Sequence, residues 1–378
     1  MNFEKLKDFL DYSLPMLGVP GSDTVIYKDH EPVFRYQSGY DSLRFGTPVR
    51  DNALYNIYSC TKVATCVAAM QLVERGDLLV DDPLCVYFPE FTDMQVLGAD
   101  GGLTKAKEPI RIKHLFSMTS GLDYNPDTPA IKRVIEQTDG RAPTLDIVGA
   151  IADRPLLFEP GTAYRYGLSH DVLGGVVELV SGMKLGDYMK ENIFDPLGMT
   201  RTSFDRSDER ISCLATQYTY DKTAGAPVEI GPGIRFALGS EYQSGGAGLI
   251  SCVDDYVLLA DALAHMGVGR SGERILSSFG VELLRSPIVP QEMFRKGNKC
   301  VQHRGYAYGY GVRVNVDPAS VGNLTPKGAF GWDGAKLSIF SADPANKIAI
   351  FHAEHIDGLH AMVMPRFFNA VYACLDED

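Results

Sequence analysis

Strand-like patterns stand at both ends of this chain, and helical periodicity fills the space between them. Near the start, Thr24-Val-Ile-Tyr27 and Val33-Phe-Arg-Tyr36 flank the polar turn Lys28-Asp-His30, which reads as a hairpin over 23–40. Residues 308–316 and 336–353 read as strands again. In the latter, Lys336-Leu-Ser-Ile-Phe340 and Ile348-Ala-Ile-Phe351 bracket the turn Asp343-Pro-Ala-Asn346. Residues 112–118, 143–153 and 169–181 are helical in pattern, and a last helix is expected after Pro365 with Phe367, Phe368, Val371, Tyr372 and Leu375 on one stripe. A chain so arranged folds most simply by bringing its two ends into one sheet. The expectation is an α/β (α+β) sheet domain from 1–76 and 236–378, with a helical domain, 77–235, inserted between. At 378 residues the chain is long enough for two such units.

Within the first unit, the run Leu54-Tyr-Asn-Ile-Tyr-Ser-Cys-Thr-Lys-Val-Ala-Thr-Cys-Val-Ala-Ala-Met70 carries Ser59 and Lys62 as Ser-x-x-Lys. Three residues is about one helical turn, so hydroxyl and amine project from the same face. A neighbouring amine can take the proton that makes a serine hydroxyl a poor nucleophile. The pattern recurs at Ser181-Gly-Met-Lys184, and context separates the two. Val63, Val67, Met70 and Val73 follow Ser59 at helical spacing and Gly76 closes the segment, so Ser59 sits at a helix N-terminus, where an anionic oxygen is stabilised. Ser181 follows Val172, Leu173, Val176, Val177 and Val180 and precedes Gly182, which places it at a C-terminal end that repels an oxyanion. Ser59 is the candidate nucleophile; Ser181 reads as a turn or capping residue.

Composition narrows the partners. A net charge of −12 argues against nucleic acid and anionic membrane. No segment is apolar enough to span a bilayer, and Phe3, Leu6, Phe9 and Leu10 among Glu4, Lys5, Lys7 and Asp8 read as an amphipathic first helix rather than a leader. Seven scattered cysteines without a Cys-x-x-Cys pair indicate neither a zinc ribbon nor a disulfide framework, and fit a reducing cytoplasm. Cys60, beside the nucleophile, reads as a small packed residue. His352, Glu354, His355 and His360 lack metal-site spacing, and no metal or cofactor is expected. Asp254-Asp255 and Asp81-Asp82 read as turns or helix starts.

Two further stretches complete a chemical hypothesis. In Glu159-Pro-Gly-Thr-Ala-Tyr-Arg-Tyr-Gly-Leu-Ser-His-Asp171, a Pro-Gly turn and a helix capped by Ser169 present Tyr166 at a cleft. In Gly328-Ala-Phe-Gly-Trp-Asp-Gly-Ala-Lys-Leu-Ser-Ile-Phe340, glycines lead into a strand where backbone N–H groups can approach a ligand.

Together with Ile110-Arg-Ile-Lys-His-Leu-Phe-Ser-Met-Thr-Ser-Gly-Leu122, Ile193-Phe-Asp-Pro-Leu-Gly-Met-Thr200 and Gly245-Gly-Ala-Gly-Leu-Ile-Ser251, these motifs make the chain resemble the serine β-lactamase and penicillin-binding protein superfamily. The resemblance is to its class C-like branch of esterases and acyltransferases and spans essentially the whole chain. It implies an antiparallel sheet flanked by helices with a mostly helical insertion, and a small-molecule acyl substrate. It also implies that Ser59 attacks an acyl carbonyl while Lys62 and Tyr166 relay its proton, with the backbone N–H groups of Ser59 and Ala335 as the oxyanion hole. Alternatives are a β-lactamase or D-Ala-D-Ala-type peptidase, or a non-turnover sensor with the same fold.

Two departures bear on substrate. Penicillin-recognising members usually show Tyr-x-Asn, and this chain has Tyr166-Gly-Leu168. They usually show Lys or His two residues before a glycine, and this chain has Trp332-Asp-Gly334. Leu168, Trp332, Asp333 and Gly334 thus stand at substrate-binding positions. Loss of a charge-assisted hydrogen bond costs about 1.5–3 kcal/mol, which disfavours a carboxylate-bearing β-lactam. Trp332 offers an apolar wall suited to a neutral ester, Asp333 further repels an anion, and Lys336 is the one nearby residue that restores positive charge. His170 reads as a satisfied polar helix residue.

Overall fold

A computed structural model describes residues 1–298, 300 and 303–375. The two ends of the chain meet in one antiparallel sheet of eight strands. Its order is Tyr306–Tyr308, Arg313–Asn315, Phe330–Gly334, Ser338–Asp343, Ile348–Ala353, Gly21–Lys28, Glu31–Ser42 and Thr47–Pro48. The junction is the pairing of Gly21–Lys28 with Ile348–Ala353, with Asp23 opposite Ala353 and Lys28 opposite Ile348. The first hairpin turns on Asp29 and His30, both at positive φ (50° and 68°), the geometry that matches the twist of a two-residue hairpin. In the second, the Asp343 carboxylate accepts from the N–H groups of Ala345 (3.1 Å) and Asn346 (3.3 Å).

Strand alternation sends side chains to two cores. Val25, Tyr27, Phe340 and Phe351 enter the larger one, whereas Ile26, Ile339 and Ile350 enter a smaller one. The smaller core is roofed by the helical turns at Glu4–Asp8, Phe9–Ser13 and Leu14–Met16 and by the helix His360–Leu375. That last helix begins before Pro365 rather than after it. Burial of Val363, Met364, Phe367, Phe368 and Val371 outweighs the one backbone bond that an internal proline forfeits. On the opposite face the helix Val253–Ala264 packs against the three central strands.

Behind it lies Thr61–Arg75, which begins directly after the turn containing Ser59 and ends at Gly76 in the left-handed conformation (φ 76°). Every side chain from Thr61 to Met70 is buried, so the helix runs through the core instead of presenting one apolar stripe. It packs against Ser169–Ser181, the helix expected over those residues.

The stretch 77–235 holds short helices, among them Ile112–Phe116, Pro129–Gln137 and Thr144–Ile151. It also holds a hairpin, Gln217–Asp221 with Ala226–Ile230, which the sequence reading did not anticipate. This hairpin takes Ile356–Asp357 alongside it in parallel. No helix among the described residues is long and apolar enough to cross a membrane.

Candidate active site

Ser59 lies in the short 3-10 turn Tyr58–Cys60, and Tyr58 holds a positive φ of 47°. A bulky residue in that region is strained, and strain of this kind persists only where the surroundings enforce it. The Tyr58 hydroxyl is bonded to Gln217, which anchors the turn on the unforeseen hairpin. Lys62, one turn on, is fully buried. Its Nζ lies 3.3 Å from Ser59 Oγ and donates to the Gly246 carbonyl at 2.5 Å. The amine also stands over the ring faces of Tyr166 (4.7 Å to centroid) and Tyr124 (5.5 Å).

Tyr166 reaches the same point from the loop before Ser169–Ser181. Its hydroxyl accepts from Trp332 Nε1 at 3.1 Å, with the two rings stacked. Burial pushes the Tyr166 phenol well above its ordinary value, and the hydrogen bonds offset this only in part, so it is a neutral phenol. Tyr164 is elsewhere: its ring packs on Phe294 and Tyr308. Of the two tyrosines, Tyr166 is the one beside Lys62.

Several expectations are corrected here. Ser169 does not cap its helix; Leu168 occupies that position, and the Ser169 hydroxyl bonds to Ser120 at 2.8 Å. Leu168 is 2% exposed and packs in the main core, so its side chain is not offered to a substrate. The Asp333 carboxylate is not aimed at an incoming anion. It is buried against Arg313 (2.7 Å) and His303 (3.0 Å). Burial alone would raise its pKa, but these two partners outweigh burial and hold it below the usual carboxylate value. Lys336 restores no charge to the cleft, because its amine is buried on Asp357 (2.6 Å) and the Tyr218 carbonyl (3.0 Å). Trp332 is buried, and its indole N–H holds the Tyr166 oxygen.

Gly334 and Ala335 close the strand beside the nucleophile. A Cβ on Gly334 would lie 2.5 Å from the Ile57 carbonyl, so only glycine lets the strand end approach the turn that carries Ser59. Ala335 follows it, exposed. Cys60 is sealed behind, its sulfur 3.7 Å from the carbonyls of Trp332 and Ser338, and burial pushes its thiol well above the ordinary value.

Sequence reasoning missed two supports. Tyr124 lies under the Lys62 amine and packs edge-on to Tyr166; it stands two residues beyond the Ser120-Gly-Leu122 motif, which was the available signal. Asp171 is buried and accepts from Tyr242 (2.9 Å), Ser244 (2.5 Å) and the Gly246 N–H (3.3 Å), fixing the loop whose carbonyl receives Lys62. A single acidic residue in a helix's first turn carries no sign of that role.

The histidines are accounted for separately. His170 is fully buried, bonded to the Phe116 carbonyl at 3.0 Å, and burial together with the Lys62 charge pushes it down to about 3. His352 joins Thr24 (2.7 Å) and Glu354 (2.8 Å), His355 joins the Ala215 carbonyl (2.8 Å), and His360 joins Gly334, so the four do not converge on one ion. His30, Asp261 and His265 do converge, but the two imidazoles are stacked with centroids 3.5 Å apart. An ion in the plane of one ring would lie far out of the plane of the other; instead His30 Nδ1 is bonded to the Asp261 carboxylate (2.7 Å) and His265 Nδ1 to the Asp261 backbone carbonyl (2.9 Å).

An antiparallel sheet built from both chain ends, a buried helix entered through a serine turn, and a tyrosine from the inserted stretch define the class of serine β-lactamase-like folds. A family model described as Beta-lactamase matches residues 6–359, and the chain belongs to that family. The esterase EstB of Burkholderia gladioli is 27% identical, over 98% of this chain and 95% of its own. The acyltransferase calJ of Penicillium decumbens is 29% identical, over 85% of this chain and 80% of its own. Among solved structures, EstCE1, described as a hydrolase with promiscuous acyltransferase activity, superimposes with a TM-score of 0.80 at 26% identity over 98% of both chains.

Proposed function

We propose that this protein is a serine hydrolase that forms an acyl-enzyme from small carboxylic esters and passes the acyl group to water or to another alcohol. The observation that carries the reading is the Ser59 hydroxyl placed 3.3 Å from a fully buried lysine amine that itself lies over the ring of Tyr166, a neutral phenol. Ser59 Oγ bonds to the acyl carbon as its proton passes to Lys62, acting here as the free amine, which then returns a proton to Tyr166 once that phenol has given up its own. The carbonyl oxygen takes up negative charge facing the N–H groups of Ser59 and Ala335. As the carbon–oxygen bond to the leaving alcohol breaks, the Tyr166 phenol, which keeps its proton at neutral pH, delivers a proton to that oxygen. Water or a second alcohol then enters by the reverse path and frees Ser59.

The substrate class follows from what surrounds the serine. Tyr124, Tyr166, Trp332 and Phe236 form an aromatic enclosure, and the two nearest charges of the third motif, Asp333 and Lys336, are spent on internal partners. This supports a neutral acyl group over the carboxylate of a β-lactam. The relatives named esterase and acyltransferase support the same chemistry. We also propose a cytoplasmic setting. It is supported by the absence of any disulfide among the described residues.

The test compares short-chain aryl esters, a chromogenic cephalosporin and a D-alanyl peptide on the wild-type protein and on Ser59→Ala. Ester turnover that exceeds the other two and disappears in the folded variant is the expected result. Faster cephalosporin turnover, or ester turnover that survives Ser59→Ala, would overturn the reading.

A further inference from the structure

His360 is not used by the chemistry above, yet it touches the peptide on which that chemistry depends. Its Nε2 lies 2.8 Å from the Gly334 carbonyl oxygen, which also accepts from the Leu337 N–H at 3.1 Å. A carbonyl has no proton to give, so Nε2 carries the hydrogen and donates it. The carbonyl of Gly334 and the N–H of Ala335 belong to one peptide group. That group is planar, and in the trans form its C=O and N–H point in opposite directions. Whatever fixes the carbonyl therefore fixes the direction of the N–H.

Besides His360, only backbone groups among the described residues hold this peptide: the Leu337 N–H and the pairing of Gly334 with Ser338. Gly334 has no side chain, and must have none because of the Ile57 carbonyl, while Ala335 is exposed. Side-chain packing therefore contributes little to its orientation, and hydrogen bonds must supply it. His360 itself is well placed for the task. It is the first residue of the helix His360–Leu375, which Val363, Phe367, Phe368 and Val371 lock onto the sheet. Leu359, just before it, is buried in the same core. A half-buried imidazole on a fixed helix end thus reaches over the last residue of the strand Phe330–Gly334. A donor at the carbonyl also polarises the amide, which makes the opposite N–H a stronger donor.

We propose that His360 is a positioning residue for the oxyanion hole: it holds the Gly334–Ala335 peptide so that the Ala335 N–H faces the acyl oxygen of the substrate. The inference rests on the proposed function. His360 touches neither the substrate nor the reacting atoms, so its removal should weaken the transition state and leave ground-state binding nearly intact.

The experiment measures kcat and KM for an aryl ester, and inhibition by an aryl boronic acid, on wild type, His360→Ala, His360→Gln and Ser59→Ala. In His360→Ala, kcat should fall about 10- to 100-fold while KM changes less than about 3-fold. The boronic acid, whose tetrahedral adduct places an oxygen in the hole, should lose affinity by a similar factor. His360→Gln, whose amide can donate to the same carbonyl, should recover most of both. If His360→Ala does not fold, His360→Gln and His360→Leu make the comparison. Unchanged kcat in a folded variant, a loss confined to KM, or failure of glutamine to rescue would overturn the role of His360. Turnover retained by Ser59→Ala would instead overturn the underlying reading, so the two failures are distinguishable.

Discussion

The chain spells Ser-x-x-Lys twice, and the structure puts the two copies in opposite physical settings. Ser59 and Lys62 enter a helix, are buried, and face two tyrosines and a backbone carbonyl. Ser181 ends a helix; its hydroxyl donates to the Val177 carbonyl at 2.6 Å, and Gly182 (φ 69°) terminates the segment in the left-handed conformation. Lys184 is exposed. The four-residue pattern therefore carries no chemistry by itself. What separates the copies is the helix end, which sets the sign of the local dipole, and burial, which removes competing water.

The sharpest way to break this comparison is to alter both copies in parallel. Ser59→Ala should lower ester turnover by at least about 10³-fold and Lys62→Met by about 10²- to 10⁴-fold. Ser181→Ala and Lys184→Met should stay within about twofold of wild type. Kinetics on the four variants, with circular dichroism to confirm folding, make the check, and equal losses at both copies would remove the distinction. A smaller effect is expected from Tyr166→Phe, about 10²-fold in kcat, because the relay loses its hydroxyl while the ring stays in place. Smaller still is Trp332→Phe, which removes one hydrogen bond to that hydroxyl and should cost up to about tenfold.

A last prediction concerns stability and the helix that joins the two settings, since its buried end carries His170. Burial pushes His170 and His355 down to about 3 and His114 to about 4, the last aided by the Lys113 charge. An unfolded histidine titrates near about 6.5, so between roughly pH 6.5 and 4 the unfolded state binds protons that the folded state refuses. Stability is then full above pH 6.5 and is lost as pH falls, by up to about 1.4 kcal/mol per histidine for each pH unit. Urea midpoints at pH 7, 6 and 5 should decline in step, and His170→Gln should flatten the decline. A constant midpoint would show that these histidines are not buried neutral.

The sheet joining both ends was legible because alternation and turn residues report which face a strand buries. The helix Ser169–Ser181 was legible because its period and its glycine are local. Partnerships across the sheet were not. Asp333 reads as a free charge until register places Arg313 opposite Gly331, within reach of the neighbouring carboxylate. Lys336 likewise finds Asp357 only because the chain turns back beside the hairpin Gln217–Asp221 and Ala226–Ile230. Periodicity describes the face that an element buries and is silent about what that face meets. Tyr124 and Asp171 were hidden for the same reason, since their partners come from distant turns.

The central claim is that Ser59, and not its duplicate, takes the acyl group. It is tested most directly by brief incubation with an aryl ester of slow release, acid quench, and mass spectrometry of the proteolytic peptides. The account predicts an acyl mass on the peptide containing Ser59 and none on the peptide containing Ser181. Turnover of the ester with the acyl mass on another residue would contradict it.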